Sequence, residues 1–399
     1  MAEKVNIPQV RFSCFEKDWE KQKFDDILEK YEDPVATPHD GYERLGVRSH
    51  VKGTFHSYVA PGAELETAQM HRVAANKLLF NITFAWEHAV AVTNEDDAGK
   101  LVSHRFPQFT FAPEMAPEFF RYVIADDKFR YHLWLSSPGG AGRNRVLNIP
   151  EMMEYQAYLP QKPEQTQLAN WFSALDELIV QHQSKLEKLQ SIRLSMLEKM
   201  FPKGDEVVPK IRFKKFSGSW KTHKISDFLT ESRIIGNTGL TAKKLTVKLW
   251  GKGVVEKSDA YGGSAHTQYY IRKAGQFMYG KLDFLHAAFG IVPDFLDGYE
   301  STLDSPAFDL SEIDGRFLMN TVIQENFYLK NGMIANGSRK AKRIHADTFL
   351  EMDILVPDIE EQQKIGDYFS QLDKQISFAQ FELIKLQNLK TALLEKMFV

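Results

Sequence analysis

Along residues 164–201 the apolar side chains recur at steps of four and three: Leu168, Phe172, Leu175 and Ile179, then Leu186, Leu189, Met196 and Met200. That spacing is the seam of a coiled coil. The two remaining steps of the seam hold His182 and Arg193. Shifting each position by 197 yields a second seam, running from Ile365, Phe369, Leu372 and Ile376 through Ala379, Leu383 and Leu386 to Leu393 and Met397, with Lys390 in the place of Arg193. The pattern therefore predicts two related helices, over 164–201 and 361–398, each ~57 Å long at the usual helical rise. A bundle helix accounts for one such seam, but a second copy at a fixed offset points to a paired spacer.

The repeat extends to the start of each half. IPQVRFSCFEKDWEKQKFDDIL, ending at Leu28, lies over VPKIRFKKFSGSWKTHKISDFL, ending at Leu229, at an offset of 201, so that Pro8, Arg11, Phe12, Phe15 and Trp19 match Pro209, Arg212, Phe213, Phe216 and Trp220. Farther along, Leu45, Val47, Arg48, Lys52 and Gly53 match Leu245, Val247, Lys248, Lys252 and Gly253 at an offset of 200, and alternation around a glycine predicts a β-hairpin in each half. NKLLFN at 76–81 lies over GQFMYG at 275–280 at an offset of 199 and reads as a shared strand. Pro160 and Pro357 precede acidic first turns, a favourable helix start, because the missing N–H costs nothing there and a carboxylate suits the dipole. The predicted architecture is α/β (α+β): two similar mixed globules, within 1–150 and 208–346, each followed by a helical region, 151–207 and 347–399.

Composition narrows the class. The 399 residues are 43% hydrophobic and 12% aromatic, enough for two or three packed domains. A formal charge of −3 gives no global signal for nucleic acid, so any such role must rest on local patches. The single cysteine, Cys14, excludes an internal disulfide framework and a cysteine-rich zinc site. No apolar run approaches a membrane span and MAEKVNIPQ lacks a signal-peptide core, so a cytoplasmic protein without a membrane partner is expected. Catalytic signatures are missing: there is no G-x-x-x-x-G-K-[ST], no G-x-G-x-x-G after a strand, no H-E-x-x-H and no Asn-Pro-Pro-Tyr type motif. The chain is expected not to be an enzyme, with no catalytic residues, no metal site and no cofactor of its own.

Two diverged globules between repeated helices suit a partner that is itself two-fold, such as double-stranded DNA. The chain resembles the DNA specificity subunits of type I restriction-modification systems. The resemblance is carried by LPQKPEQTQLANWFSALDELI and VPDIEEQQKIGDYFSQLDKQI, and by LEKMF closing both copies. It implies two target recognition domains, 1–150 and 208–346, joined by two long antiparallel coiled-coil helices in a pseudo-two-fold repeat. It further implies that each domain reads part of a split, asymmetric target, that two methyltransferase (modification) subunits bind the helical regions, and that restriction (translocase and nuclease) subunits join them. S-adenosylmethionine, ATP and magnesium would serve those partners.

Base edges and phosphates demand cations and forked donors. The candidate DNA-binding residues are the hairpin cations Arg48 and Lys52 with their counterparts Lys248 and Lys252, the neighbouring Lys243 and Lys244, and the basic closing loops: Arg143 and Arg145, then Arg339, Lys340, Lys342 and Arg343. Runs of cations more often form solvated faces. Trp86, Trp250 and His50 are further candidates for touching bases, although a tryptophan in such a setting is more often core. The rival class is a coiled-coil scaffold or adaptor whose globules bind proteins or other ligands, and it predicts no salt-sensitive DNA binding.

Overall fold

The computed structural model describes residues 7–139, 145–257, 264–333 and 343–398. The chain forms two compact units, one comprising the residues up to His182 together with those from Leu383 onward, the other comprising Gln183–Glu382. Each unit thus combines a mixed α/β globule with a portion of both long helices, which span Lys162–Lys199 and Ile359–Met397.

In unit 1 the central sheet is antiparallel, in the order Leu28–Tyr31, Gln108–Phe111, Lys77–Phe80, Val90–Val92. In unit 2 the order is Leu229–Ser232, Ala307–Leu310, Phe277–Tyr279, Phe289–Ile291, the same succession of chain positions. Aromatic residues fill both cores: Phe24, Phe80, Phe119, Phe120 and Phe129 are fully buried in unit 1, as are Phe277, Phe289, Phe308, Phe317 and Phe349 in unit 2. A two-stranded ribbon then joins each repeated lead to the strand preceding a long helix, Glu20–Lys23 with Gln156–Leu159 and Lys221–Lys224 with Asp353–Val356.

The second sheets differ. Unit 1 has five strands, Pro34–Ala36, Gln69–Arg72, Leu101–Val102, Tyr42–Val47 and Thr54–Val59, with one parallel pairing, Arg44 opposite Leu101. Unit 2 divides this sheet into a three-stranded piece, Ile234–Thr238, Gln268–Ile271 and Glu300–Ser301, and a hairpin, Leu245–Val247 with Val254–Glu256, connected by a parallel bridge between Lys244 and Glu300. Unit 2 also buries Arg272, which hydrogen-bonds Ser301 Oγ at 2.7 Å and the Ser232 carbonyl at 2.9 Å. Desolvation lowers its guanidinium to about 10. Val73 takes the corresponding place in unit 1, since Val73 donates to Lys100 O as Arg272 donates to Tyr299 O.

The helix starts are fixed by more than the dipole. Glu164 and Glu361 are buried, and each receives a two-point clasp from the arginine of its repeated lead: Arg11 Nε and Nη2 reach Glu164 at 2.7 and 2.6 Å, and Arg212 Nε and Nη2 reach Glu361 at the same distances. The next residue bridges two backbones. Gln165 donates to Pro160 O and accepts from Ala116 N, while Gln362 donates to Pro357 O and accepts from Asp314 N. Each lead also caps a helix end, Val10 N donating to Lys396 O and Ile211 N to Lys199 O.

Within each unit the two helix segments run antiparallel. In unit 1 Phe172 lies 5.9 Å from Phe398 while Asp176 meets Lys390 at 2.5 Å; in unit 2 Phe369 lies 6.2 Å from Phe201 while Asp373 meets Arg193 at 2.5 Å. Leu168, Phe172, Leu175, Leu383 and Met397 are buried in unit 1, and Leu186, Met200, Ile365, Phe369, Leu372 and Ala379 in unit 2. The seam cations are therefore accommodated by acids of the same chain at matching steps.

Candidate nucleic-acid interface

The hairpins form where alternation and glycine placed them. Val47 pairs with Thr54 and Val247 with Val254, and each six-residue connection closes with a backbone bond, Arg48 N to Gly53 O at 2.9 Å and Lys248 N to Gly253 O at 2.8 Å. The tips adopt left-handed backbone: His50 and Val51 at φ 60° and 53°, Trp250 and Gly251 at 60° and 64°. Such angles are costly for a β-branched residue like Val51. They are held by docking onto a short 3-10 turn, through His50 N to Glu87 O and Val51 N to His88 O in unit 1, and Trp250 N to His286 O and Gly251 N to Ala287 O in unit 2. A hairpin fixed in this way presents its side chains from a set position.

Lys52 is exposed on the first tip and, with His50, lines a cleft of about 1050 Å³ that also contains Arg121, Arg130, Lys390, Asp127 and Asp176. In unit 2 the corresponding cleft is about 480 Å³ and is lined by Gly251, Arg193, Arg316, Lys374 and Asp373. Lys252 and Lys248 are exposed on that hairpin. Arg48 is exposed too, but part of its guanidinium is engaged, with Nη1 on Thr54 O at 2.5 Å and the group 5.2 Å from the Phe55 ring. His88 closes the wall of the first cleft. Desolvation lowers its pKa, and its Nε2 lies 2.6 Å from Ile124 O.

The other candidates divide. Lys243 is exposed, with Nζ 6.0 Å from the Tyr299 ring, whereas Lys244 is buried with Nζ 5.7 Å from Tyr269, because the bridge to Glu300 turns it into the sheet. Arg145 is half-buried 4.5 Å over the Trp134 ring, and Arg343 is half-buried 3.5 Å from Asp304. Arg143, Arg339, Lys340 and Lys342 lie outside the described residues. Trp86 is half-buried and donates to Thr83 O, while Trp250 is exposed and meets His286 edge-on.

Sequence reasoning missed Arg121, Arg130 and Lys390 in the first cleft, because they come from three separate stretches of chain. It also missed the clasp of Arg11 and Arg212 on Glu164 and Glu361, although all four positions stood in matching places of the repeat. Among the described residues no cluster of three or more His, Cys, Asp or Glu is arranged to hold a metal, and no helix is long and apolar enough to cross a membrane. The arrangement offers separated cations and forked donors on fixed hairpins, which suits binding to a polyanion with groove edges.

Residues 311–388 match the family of the type I restriction modification DNA specificity domain. The solved type I restriction-modification S subunit from M. genitalium is 14% identical, covers 98% of this chain and 99% of its own, and superposes with a TM-score of 0.60. A structure describing complex assembly and conformational transition of a type I R-M system is 12% identical over 95% of this chain and 97% of its own, at 0.51. The HsdS subunit from Thermoanaerobacter tengcongensis is 14% identical over 95% and 96%, at 0.48. The first two likenesses show a shared fold.

Proposed function

We propose that this chain, whose residues 311–388 match the type I restriction modification DNA specificity domain and whose fold is shared with a type I S subunit, is the DNA-reading part of a type I restriction-modification complex. Each unit reads one block of a bipartite, asymmetric target in double-stranded DNA. The helices that the units share act as a coiled-coil spacer and as the seat of two methyltransferase subunits, and restriction subunits join that assembly. Chemistry resides in those partners, which use S-adenosylmethionine, ATP and magnesium.

One observation carries the reading. Two units share their sheet order, their lead-to-helix clasp and their hairpin placement, yet differ in the side chains they expose: His50 against Trp250 at the tip, a five-stranded against a divided second sheet, and a wide against a narrow cleft. A constant frame with altered faces is what two readers of different sequence require. The exposed members of the candidate set, Lys52, Lys248, Lys252, Lys243 and part of Arg48, are assigned to phosphate contact.

The test uses the assembled methyltransferase. Lys52→Ala and Lys252→Ala should each weaken binding to a cognate duplex and reduce the slope of log affinity against log salt by about one unit, as one phosphate contact does. Unchanged slopes for both variants remove the hairpins from the interface.

A further inference from the structure

Toward the end of each globule an apolar residue ties the chain to the core: Leu147 donates its N–H to Ile82 O at 2.9 Å, and Ile344 donates to Lys281 O at 3.1 Å. An arginine stands just before each point, Arg145 and Arg343. Each carries a buried guanidinium nitrogen, Nη1 of Arg145 and Nε of Arg343, with no hydrogen-bond partner among the described residues. Unpaired buried donors are rare in folded proteins, so each of these guanidinium groups is left only partly satisfied by its own unit.

The surroundings of the two arginines are not alike. Arg343 has a carboxylate near it, Asp304 at 3.5 Å. Arg145 has no acid partner among the described residues; instead its guanidinium carbon stands 4.5 Å over the Trp134 ring, which in turn stacks on Tyr131 at 6.1 Å with 12° between the rings. The helix Asp127–Leu135 already fills the core with Phe129 and Leu133, both fully buried. Tyr131 and Trp134 are turned outward, 61% and 44% exposed. Among the described residues of unit 2 there is no such pile. Aligning the caps of the two helices, Asp126 and Gln324, sets Leu329 against Tyr131 and Gly332 against Trp134. A side chain at Gly332 would begin 2.3 Å from Leu285 Cδ2.

We propose that Tyr131, Trp134 and Arg145 form a DNA contact belonging to unit 1 alone, in which the stacked rings restrain the guanidinium and the part of it that is not buried meets a pair of acceptors on the duplex. This rests on the reading of the chain as a DNA-recognition subunit. A planar fork with five donors matches paired acceptors, and stacking on an indole removes the rotational freedom that a solvated arginine would lose on binding. Two parts of DNA supply that chemistry, the phosphate oxygens and the O6 and N7 edge of guanine. The neighbouring sequence is basic, with Arg143 two residues away, which favours a polyanion over an apolar protein surface.

The experiment compares methyltransferase complexes assembled with the native chain, Arg145→Ala, Arg145→Lys and Trp134→Leu, reading affinity across salt and mapping methylated sites by modified-base sequencing. Arg145→Ala and Arg145→Lys are each expected to weaken binding by about tenfold, with a smaller loss for Trp134→Leu, as a bidentate contact predicts. Relaxation at a single G·C position in one block of the target identifies guanine as the acceptor, and an unchanged target with a shallower salt slope for Arg145→Ala identifies phosphate. Native affinity and stringency for Arg145→Ala, or equal relaxation of both blocks, overturns the proposal. A native complex that shows no sequence-specific binding overturns instead the reading on which it rests.

Discussion

Units 1 and 2 share a frame and diverge on their faces, and the two kinds of region are held together differently. The frame relies on buried, charge-assisted bonds between segments far apart in sequence: Arg11 to Glu164, Arg212 to Glu361, and the glutamine bridges of Gln165 and Gln362. Losing one partner there strands a buried charge or amide, so change is costly. The faces are hairpin tips, cleft walls and the outer side of one short helix, where exposed side chains make few obligatory bonds. Divergence can accumulate on such faces without moving the frame.

The largest expected effect separates the two clasps. Arg212→Ala leaves Glu361 buried without its cation and should destabilise unit 2 by about 3–5 kcal/mol. Arg11→Ala should cost unit 1 about 1 kcal/mol less, because Trp19 Nε1 also lies 3.4 Å from Glu164 whereas Trp220 Nε1 has no partner among the described residues. Denaturant unfolding of the two variants measures the difference, and equal losses would remove Trp19 from the account.

The seam ion pairs should matter less and alike in both units. Asp176 and Asp373 are about half exposed, so Asp176→Asn and Asp373→Asn are each expected to cost ~0.5 kcal/mol, shrinking further in high salt. A loss confined to one unit would show that the helix segments are not held in matching ways.

The smallest effect concerns His88, which has no histidine counterpart in unit 2, where Ala287 takes the corresponding left-handed turn position. Burial favours the neutral ring and lowers its native pKa, so the unfolded state binds the proton more readily. The contribution is complete above about pH 6.5, the ordinary histidine value, and is lost as pH falls from there through the lowered native value. His88→Gln should flatten the acid-side slope of stability in thermal melts. An unchanged slope would place the acid sensitivity elsewhere.

Much of this was legible in the chain. The seams at an offset of 197 located both long helices to within two residues, and the matched positions around Gly53 and Gly253 located both hairpins. Period and glycine placement are local signals, and they survive in the folded protein because nothing competes with them. Long-range partners were not legible. Glu164 and Glu361 looked like dipole-facing acids at a helix start and are in fact buried in arginine clasps. Lys244 read as one of a surface pair with Lys243, but a bridge in the second sheet turns it inward. The outward stacking of Tyr131 and Trp134 was equally hidden, since aromatic residues at helical spacing usually mark a core face.

The central claim is that each unit reads its own block of DNA from a common frame. Hydroxyl-radical footprinting of a cognate duplex bound by the assembled methyltransferase tests it directly, with the native chain, Lys52→Ala and Lys252→Ala side by side. Two protected blocks separated by a gap are expected, with Lys52→Ala thinning one block and Lys252→Ala thinning the other. A single continuous footprint, or equal thinning of both blocks by either variant, would contradict it.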